Sequence, residues 1–442
     1  MQDYHSFFKR KKITLMRIGL LGRGVGDAAF LAECGAEVLV VDDAPQAVMQ
    51  PSVDALKKYP NVSFKFGPYD LDDFRHCDLV LKGAGTPLHS PEIAEAKRRG
   101  IPVRMSADLF AELSGATIVG VTGTRGKSTV AHLVAHTLRH ADKKVLLGGN
   151  VRGISTLALL PQATPETIAV LELDSWQLQG FGEARLSPQI AVFTTFYPDH
   201  LNYYGGDLEA YLADKAEIFL HQHADGVLIV GEQAEKIVQE HYEGRIPSQA
   251  LVAYAGDVPR EWRLALPGEH NRENAACALF ALRVLRIPEA AIRAGFETFR
   301  GVPGRLELAR EVRGVAIYND TTATTPEATR AALAALDPSG AKNIVLLAGG
   351  SDKGLAMTEL VRDIRRHCKS VFFLAGNGTD RIRGEFPGAP VFEELPPALE
   401  AAFAAAEAGD ILLFSPAFTS FGIFKNEYDR GEQFARAAAA LL

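Results

Sequence analysis

The sequence is poor in cysteine and in long apolar runs, and both shortages exclude classes of protein. Its 442 residues include four cysteines, at Cys34, Cys77, Cys277 and Cys368. They are widely spaced and form no CxxC pair, so neither a zinc site nor a disulfide framework is expected. No stretch approaches the roughly 20 apolar residues of a membrane span, and no secretory signal is recognisable. We therefore expect a cytoplasmic protein with no membrane insertion.

Acidic residues outnumber basic ones, 54 to 47. The formal net charge is −7, which argues against a nucleic-acid partner even though residues 9–12 form a short basic run. The chain is longer than one hydrophobic core usually supports, so two to three domains are expected. We predict a multidomain α/β protein, monomeric, that acts on small molecules.

Apolar runs alternating with helical stretches divide the chain into a leader and three segments. Residues 1–15 are predicted to be an appendage, with the first strand beginning at Met16. Segment 16–112 contains a βαβ unit whose glycine turn at 22–26 suits either a bound phosphate or a tight turn alone. Segments 113–300 and 301–442 each predict a largely parallel sheet.

The strongest motif is the loop between the predicted strand Thr117–Thr122 and a following helix. It consists of Gly123, Thr124, Arg125, Gly126, Lys127, Ser128 and Thr129. Glycine amides and a lysine ammonium at a helix start can hold phosphates, while a hydroxyl there can bind Mg²⁺. Val121 stands where the longer form of the motif has its first glycine, so the match is to the short GxxGKST form. ATP and Mg²⁺ are the expected cofactors.

Other polar residues allow both a functional and an ordinary interpretation. Glu172 ends a predicted strand and could help to bind Mg²⁺ or could cap the next helix. His200 follows another strand and could bind a second metal ion or be structural. Lys215 lies on an amphipathic helix, where a lysine is by default solvated. Asn271 and Asn274 share a helix face and could contact a nucleotide or simply begin the helix.

Taken in order, nine segments resemble the Mur ligase family. They are GTRGKST at 123–129, GN at 149–150, LELDSWQL at 171–178, DH at 199–200, YLADKAEIF at 211–219, GEHNRENA at 268–275, GRLE at 304–307, YNDTTATTPEAT at 318–329 and SPAFTSFGIFKNEYDRG at 415–431. The resemblance is closest to the members that add D-glutamate to UDP-N-acetylmuramoyl-L-alanine. It implies an N-terminal Rossmann-like domain, a central P-loop ATPase domain and a C-terminal Rossmann-like domain. It also implies an ATP-dependent amide ligase of peptidoglycan precursor synthesis that works through an acyl phosphate and releases ADP and phosphate.

The resemblance further implies a role for each matching residue. Catalysis would depend on Lys127, Glu172, His200 and Lys215, with Mg²⁺ held by Ser128, Glu172, His200 and a carbamylated Lys215. The remaining implied contacts are Asn271, Asn274, Arg305 and Asp320 for ATP, Gly24, Asp42, Gly85 and Asn150 for the UDP substrate, and Thr324, Lys353, Ser420 and Phe421 for glutamate.

Two departures from the family pattern leave alternatives open. Thr322 stands where the usual DSKAT motif has a lysine, and Ala417-Phe418-Thr419 replaces a more common Ala-Cys-Ala. Ligation of L-glutamate is therefore an alternative. A folylpolyglutamate synthase-like ligase, a P-loop ATPase that drives motion and a non-enzymatic nucleotide sensor are further alternatives. The βαβ unit before the ATPase segment favours a ligase acting on a UDP-sugar.

Overall fold

The fold is that of a computed structural model, which describes residues 3–19, 22–151, 153–264, 266, 268–352, 354–420 and 423–442. The chain forms two compact units. One consists of Met1–Arg263 and His270–Glu297, and the other of Leu264–Glu269 and Thr298–Leu442. Within the described residues, no helix is both long enough and apolar enough to cross a bilayer.

The first sheet has five parallel strands in the order β3-β2-β1-β4-β5. Its strands are β1 Lys12–Met16, β2 Glu37–Asp42, β3 Val62–Phe66, β4 Leu79–Lys82 and β5 Val103–Arg104. The helices of this region are α1 Tyr4–Phe8, α2 Arg23–Glu33, α3 Gln46–Leu56, α4 Pro91–Arg98 and α5 Ser106–Leu113. Because β1 pairs with both β2 and β4, the chain reverses its winding direction beside β1, where open α/β sheets bind ligands.

The structure corrects the expectation of a leader at residues 1–15 with a first strand from Met16. Strand β1 begins at Lys12 and is the central strand of its sheet. The Phe8 side chain is fully buried, and its ring lies 5.9 Å from that of Phe30. Arg17 has φ of 62°, in the left-handed region, which ends the strand. The basic residues 9–12 separate Phe8 from Ile13, so the apolar positions on either side of them did not form a recognisable run in the sequence.

The second sheet has six parallel strands in the order β11-β10-β9-β6-β8-β7. The strands are β6 Thr117–Thr122, β7 Val145–Gly149, β8 Ile168–Glu172, β9 Ile190–Phe193, β10 Val227–Gly231 and β11 Gln249–Ala253. The helices are α6 Lys127–His140, α7 Ser175–Ala184, α8 Leu201–Tyr204, α9 Leu208–Ala216, α10 Glu232–Tyr242, α11 Glu269–Val284 and α12 Glu289–Thr298. The first and second sheets share one hydrophobic core, which explains why they form a single compact unit.

The third sheet has six strands in the order β12-β13-β17-β14-β15-β16. The strands are β12 Glu307–Val312, β13 Val315–Asn319, β14 Ile344–Gly349, β15 Cys368–Leu374, β16 Val391–Phe392 and β17 Ile411–Phe414. The helices are α13 Pro326–Leu336, α14 Thr358–His367, α15 Asn377–Ile382, α16 Leu395–Ala404 and α17 Glu427–Ala440. Only β12 is antiparallel to its neighbour, so the prediction of a largely parallel sheet is confirmed.

Candidate active site

The phosphate-binding loop connects β6 to α6, and its glycines are required by both conformation and packing. Gly123 and Gly126 have φ of 139° and 85°, which L-residues with side chains rarely adopt. A Cβ on Gly126 would lie 2.2 Å from Asn274 Oδ1, and one on Gly123 would lie 2.1 Å from Thr194 Oγ1. Thr194 Oγ1 in turn donates a hydrogen bond of 2.6 Å to Arg125 O. The segment after β9 therefore fixes the shape of the loop.

Two lysine side chains meet at one carbonyl of this loop. Lys127 Nζ donates hydrogen bonds to Gly123 O at 2.8 Å and to Thr124 O at 3.0 Å. Lys215 Nζ, from α9, donates to the same Gly123 O at 2.9 Å. The two side-chain amines therefore lie close together at this loop, and the ammonium of Lys127 suits phosphate oxygens, because those oxygens carry the opposite charge.

Lys215 is not the solvated lysine that its amphipathic helix suggests. Its side chain is 1% exposed and its Nζ lies 4.8 Å from the centre of the Tyr211 ring. Burial, and then the neighbouring charge of Lys127, lower the pKa of the Lys215 amine well below its usual value. The charges of Asp174, Asp199 and Asp214 act in the opposite direction. The site thus favours an uncharged amine, which is a nucleophile.

Glu172 is positioned at the loop by the register of the sheet. It is the last residue of β8, is 4% exposed and lies opposite Val121 of β6. Its backbone oxygen accepts a hydrogen bond of 2.6 Å from Asn150 N. The next helix is capped by Asp174, which accepts a 2.7 Å hydrogen bond from Gln177 N. Asp174, and not Glu172, therefore caps the helix. The Glu172 side chain lies at the carboxyl end of β8, on the same edge of the sheet as the phosphate-binding loop.

His200 lies in the loop after β9 and has φ of 53°. Its ring is 4.9 Å from Trp176 and 5.9 Å from Tyr211, measured between ring centres. The Tyr211 hydroxyl shares a hydrogen bond of 3.3 Å with Thr124 Oγ1. These aromatic contacts connect His200 to the phosphate-binding loop, and 39% of its side chain is exposed.

The donor set constrains how a metal ion could bind. Among the described residues, no three His, Cys, Asp or Glu side chains come together to hold a metal. The predicted set contains two such residues, Glu172 and His200, together with the Ser128 hydroxyl and Lys215. Mg²⁺ prefers oxygen ligands and an amine does not suit it. If Lys215 is converted to an oxygen-bearing anion such as a carbamate, the set offers oxygen ligands from Ser128, Glu172 and Lys215, with the His200 imidazole as its one nitrogen, and it then fits Mg²⁺.

Asn274 lies against the phosphate-binding loop at Gly126, and Asn271 lies beside Asn274 on helix α11. Both are 8% exposed, and Asn274 Nδ2 donates a hydrogen bond of 3.3 Å to Asn271 Oδ1. Helix α11 begins earlier, at Glu269, so these amides are not needed to start it. Asn274 Oδ1 is the atom that a side chain at Gly126 would strike.

In the second unit, Asp320 joins two loops at the carboxyl edge of the third sheet. Its Oδ1 accepts a 3.0 Å hydrogen bond from Leu306 N, and its Oδ2 accepts one of 2.7 Å from Ser415 Oγ. Burial raises the pKa of the Asp320 carboxyl to about 7. Arg305, beside this contact, is exposed. The Asp320 carboxyl of the second unit can therefore be either protonated or ionised near neutral pH.

The predicted glutamate contacts fall on the two loops that follow β13 and β17. Thr324 is half-buried in the first loop, and Ser420 is 3% exposed in the second. Thr322 Oγ1, where the family motif has a lysine, donates a hydrogen bond of 2.9 Å to Gly304 O. Lys353 and Phe421 lie outside the described residues.

Arg430 holds these two loops together and was not singled out from the sequence. It is fully buried on α17. Its guanidinium donates hydrogen bonds to Thr321 Oγ1 at 3.1 Å, to Thr321 O at 2.7 Å and to Phe418 O at 3.2 Å. Burial lowers its pKa to about 10. The only sequence signal was its place in the last segment of family resemblance.

A cavity of about 270 Å³ lies at the carboxyl edge of the first sheet, where the winding direction reverses. Gly24 and Gly85 line it, and a Cβ on Gly24 would lie 2.2 Å from Ile18 O. Asn150 Oδ1 accepts a 2.8 Å hydrogen bond from Arg23, another lining residue. Asp42 is not among the described residues that line the cavity, and its Oδ1 accepts a hydrogen bond of 3.0 Å from Ala44 N.

Three cationic residues of this cavity were missed by the sequence analysis. Arg17, Arg23 and Lys82 all line it. Arg23 and Lys82 each stand next to a glycine, and Arg17 directly follows the last residue of β1. These positions at strand ends and glycine turns are the signal that could have drawn attention to them. A cavity with several cations at such an edge suits an anionic ligand.

Comparison with known proteins agrees with this geometry. Residues 121–254 match the Mur ligase middle domain, and residues 304–418 match the Mur ligase glutamate ligase domain. The UDP-N-acetylmuramoylalanine–D-glutamate ligase of a Roseiflexus species is 36% identical over 96% of this chain and 98% of its own. The enzyme of the same name from Anaeromyxobacter dehalogenans is 34% identical over 97% of this chain and 98% of its own.

Solved structures show the same fold. The UDP-N-acetylmuramate–alanine ligase of Thermotoga maritima matches with a TM-score of 0.60 and 19% identity, over 98% of this chain and 100% of its own. A folylpolyglutamate synthase from the same organism matches with a TM-score of 0.55 and 17% identity, over only 75% of this chain and 91% of its own. Because the chain matches D-glutamate ligases at 34–36% identity over nearly its whole length and matches two Mur ligase domains, it belongs to the Mur ligase family.

Proposed function

We propose that this protein is an ATP-dependent ligase that joins D-glutamate to UDP-N-acetylmuramoyl-L-alanine in peptidoglycan precursor synthesis. The observation that carries the proposal is the meeting of Lys127 and the buried Lys215 at Gly123 O, inside a phosphate-binding loop. Relatives of that name cover nearly the whole chain, which supports the same assignment.

The loop residues would bind the ATP phosphates. Lys127 would exchange its hydrogen bonds to loop carbonyls for bonds to the β- and γ-phosphates, as charge-assisted bonds to phosphate are the stronger ones. Backbone amides at the start of α6 would hold the same oxygens. A carboxylate oxygen of the muramoyl-alanine substrate would then attack the γ-phosphorus, ADP would leave, and an acyl phosphate would remain.

Lys215 would act as a carbamate. Its uncharged amine would add to CO₂, forming an N–C bond and releasing one proton, so that a buried base becomes an anion. Mg²⁺, when bound, would neutralise phosphate charge and orient the reacting carboxylate. Ser128, Glu172, His200 and the Lys215 carbamate would hold it. The buried position of Lys215 beside the loop supports this role.

Glutamate would react in the second step. Its amine, once deprotonated, would attack the acyl carbon, and phosphate would leave as the amide forms. Thr324, Ser420, Lys353 and Phe421 remain the proposed glutamate contacts, with Arg305 and Asp320 toward ATP. Thr322 does not supply the charge of the family lysine, so glutamate alignment would depend more heavily on the remaining contacts.

The test is phosphate release by the purified protein with Mg·ATP and UDP-N-acetylmuramoyl-L-alanine, with the product checked by mass. We expect release with D-glutamate and none without an amino acid. Preference for L-glutamate would instead assign the stereochemical change to the neighbourhood of Thr322. Release without any amino acid would reject the ligase in favour of an ATPase.

A variant pair strengthens this test. Lys127→Ala should reduce turnover by about 100-fold or more, because the negative charge on the transferring phosphoryl group would no longer be stabilised by the Lys127 ammonium. Lys143→Ala removes a lysine from the loop that follows α6, outside the phosphate-binding loop, and should leave turnover unchanged. Carbamylation is checked separately by ¹³C NMR with labelled bicarbonate, in which Lys215→Met should lack the carbamate signal.

A further inference from the structure

Asp27 is a buried acid that accepts hydrogen bonds from two separate elements. It lies on α2 and is 9% exposed. Its Oδ1 accepts a hydrogen bond of 2.8 Å from Ser106 Oγ, at the start of α5. The same oxygen accepts one of 2.6 Å from Ser155 Oγ, in the loop that follows β7. We call residues 150, 151 and 153–156 of this loop the β7 loop. One carboxylate oxygen thus joins α2 both to α5 and to a loop of the second sheet.

Both serines also hold the turn that follows the β7 loop. Ser106 Oγ accepts a hydrogen bond of 2.9 Å from Leu157 N, and Ser155 Oγ accepts one of 3.0 Å from Ala158 N. Because each hydroxyl donates its proton to Asp27, its oxygen is left to accept from these amides. Asp27 therefore fixes the end of the β7 loop.

Helix α2 holds the beginning of the β7 loop as well. Arg23 Nη1 donates a hydrogen bond of 2.8 Å to Asn150 Oδ1. Arg23 and Asp27 are four residues apart, so their side chains share one face of the helix. A Cβ on Gly26 would lie 2.7 Å from Ser155 Cβ, because the helix and the loop are in direct contact. One helix face therefore grips the β7 loop at both ends.

Asn150 connects the β7 loop to the edge of the second sheet where the reaction would occur. Its N donates a hydrogen bond of 2.6 Å to the backbone oxygen of Glu172, at the end of β8. Arg23, its other partner, lines the cavity at the first sheet. A substrate with its nucleotide in that cavity and its carboxylate at the phosphate-binding loop would pass Asn150. The position of the β7 loop thus determines how the two ends of the substrate are aligned.

Keeping the Asp27 carboxyl ionised opposes folding. Burial raises its pKa to about 6, although the hydroxyls of Ser155 and Ser106 and the charge of Arg23 act in the opposite direction. A raised carboxyl pKa means that the folded protein binds the proton more tightly than the unfolded chain, so ionisation at pH 7 reduces stability. An asparagine oxygen could accept the same two hydrogen bonds without this penalty. A charge that reduces stability is typical of a residue retained for function.

We propose that Asp27 is a positioning residue for the ligation, whose charge holds the β7 loop in the conformation that presents Asn150 to the substrate. The inference rests on the function proposed above and adds a residue that acts through Asn150 without touching the reacting atoms. Hydrogen bonds to an ionised oxygen are shorter and stronger than those to a neutral one. Loss of the charge should therefore loosen the β7 loop and weaken contacts to the part of the substrate beyond its nucleotide.

The test measures calorimetric binding of UDP-N-acetylmuramoyl-L-alanine and of UDP to the full-length protein. We expect Asp27→Asn to weaken binding of the complete substrate by roughly 10-fold, the value of one hydrogen bond to a charged group. The variant should bind UDP no less tightly than the wild type and should melt at the same temperature or higher. Asp54→Asn, at an exposed acid of α3 that pairs with Lys57, should change neither affinity by more than about twofold.

A double-mutant cycle tests the route through Asn150. Asn150→Ala alone should weaken binding of the complete substrate. Adding Asp27→Asn to it should cause no further loss, because the contact that Asp27 positions is already absent. Independent, additive losses would overturn the positioning role. In turnover assays, the supporting result is a higher KM for the UDP substrate in Asp27→Asn, with the KM for ATP unchanged.

The remaining outcomes separate this proposal from the ligase function. Equal affinity of the wild type and Asp27→Asn for the complete substrate would overturn the role of Asp27 and leave the ligase function standing. Parallel loss of UDP and substrate binding, with a lower melting temperature, would show a structural role and also overturn it. Failure of the wild type to bind the complete substrate would overturn both proposals.

Discussion

At the scale of single residues, two glycines with the same backbone conformation differ only in their surroundings. Gly126 and Gly388 have φ of 85° and 86°. A Cβ would lie 2.2 Å from Asn274 Oδ1 at Gly126 and would meet nothing within 4 Å at Gly388. We expect Gly388→Ala to lower the free energy of unfolding by about 1–2 kcal/mol from backbone strain and to keep full turnover.

Gly126→Ala adds the clash to the strain, so the phosphate-binding loop must move. We expect turnover to fall by roughly 100-fold or more, since the phosphate contacts require correct geometry. Phosphate release and urea unfolding, measured on both variants, separate strain from displacement. Equal turnover in the two variants would show that the loop tolerates the side chain.

Lys82 gives a pH-dependent prediction. Below about pH 8 its amine is charged in both the folded and unfolded states, and the full cost of burying the charge is present. Between about pH 8 and the usual value of 10.5, only the unfolded state binds the proton, so its contribution to the free energy of unfolding rises with pH.

Lys82→Met removes this cost. We expect the variant to be more stable than the wild type at pH 7 by roughly 3 kcal/mol, the free energy equivalent to the lowered pKa. The difference should shrink as the pH approaches 10.5. Urea unfolding at pH 7, 8.5 and 10 measures it, with Lys57→Met as the control. A variant less stable than the wild type at pH 7 would contradict the reasoning.

At the scale of elements, Arg430 connects helix α17 to the loops after β13 and β17. Arg430→Met should leave three hydrogen-bond acceptors of these loops without their buried donor, at about 1–3 kcal/mol each where no water replaces it. We expect a lower free energy of unfolding for the second unit and a higher KM for glutamate. Arg430→Lys should not rescue, because one ammonium cannot reproduce the guanidinium geometry. Arg436→Met, exposed on the same helix, is the control.

The short helix α1 gives a second prediction at this scale. Phe8 is fully buried, whereas its neighbour Phe7 is only partly buried. Phe8→Ala should lower the free energy of unfolding by about 3–5 kcal/mol, and Phe7→Ala by clearly less. Chemical denaturation of both variants checks whether these residues are part of the domain. Equal small effects would restore the interpretation of a leader.

At the scale of the whole molecule, the two compact units have separate hydrophobic cores. We therefore expect calorimetry to show two unfolding transitions instead of one. UDP at 100 times its Kd should stabilise the first unit by about 2.7 kcal/mol and leave the second transition unmoved. Arg430→Met should lower only the second. A single transition that both changes shift together would contradict independent units.

An element or site could be predicted from the sequence when the residues that define it are close together in the chain. The strands β6, β8, β9 and β14 were predicted because parallel strands buried on both faces form continuous apolar runs. The phosphate-binding loop was predicted because its glycines, lysine and hydroxyls are adjacent in the chain. Strand β1 was misplaced because its apolar residues follow a basic run and its partners, Glu37–Asp42 and Leu79–Lys82, lie far along the chain.

By itself, the sequence determined the α/β class, the order of the three sheets and the position of the glycine-rich loop after β6. Only the tertiary structure decided which charged side chains are buried. Lys215 reaches Gly123 across 92 residues, and Arg430 reaches Thr321 across 109. Burial is a property of neighbours brought together by folding, and no local pattern distinguishes a lysine that meets water from one that meets a carbonyl.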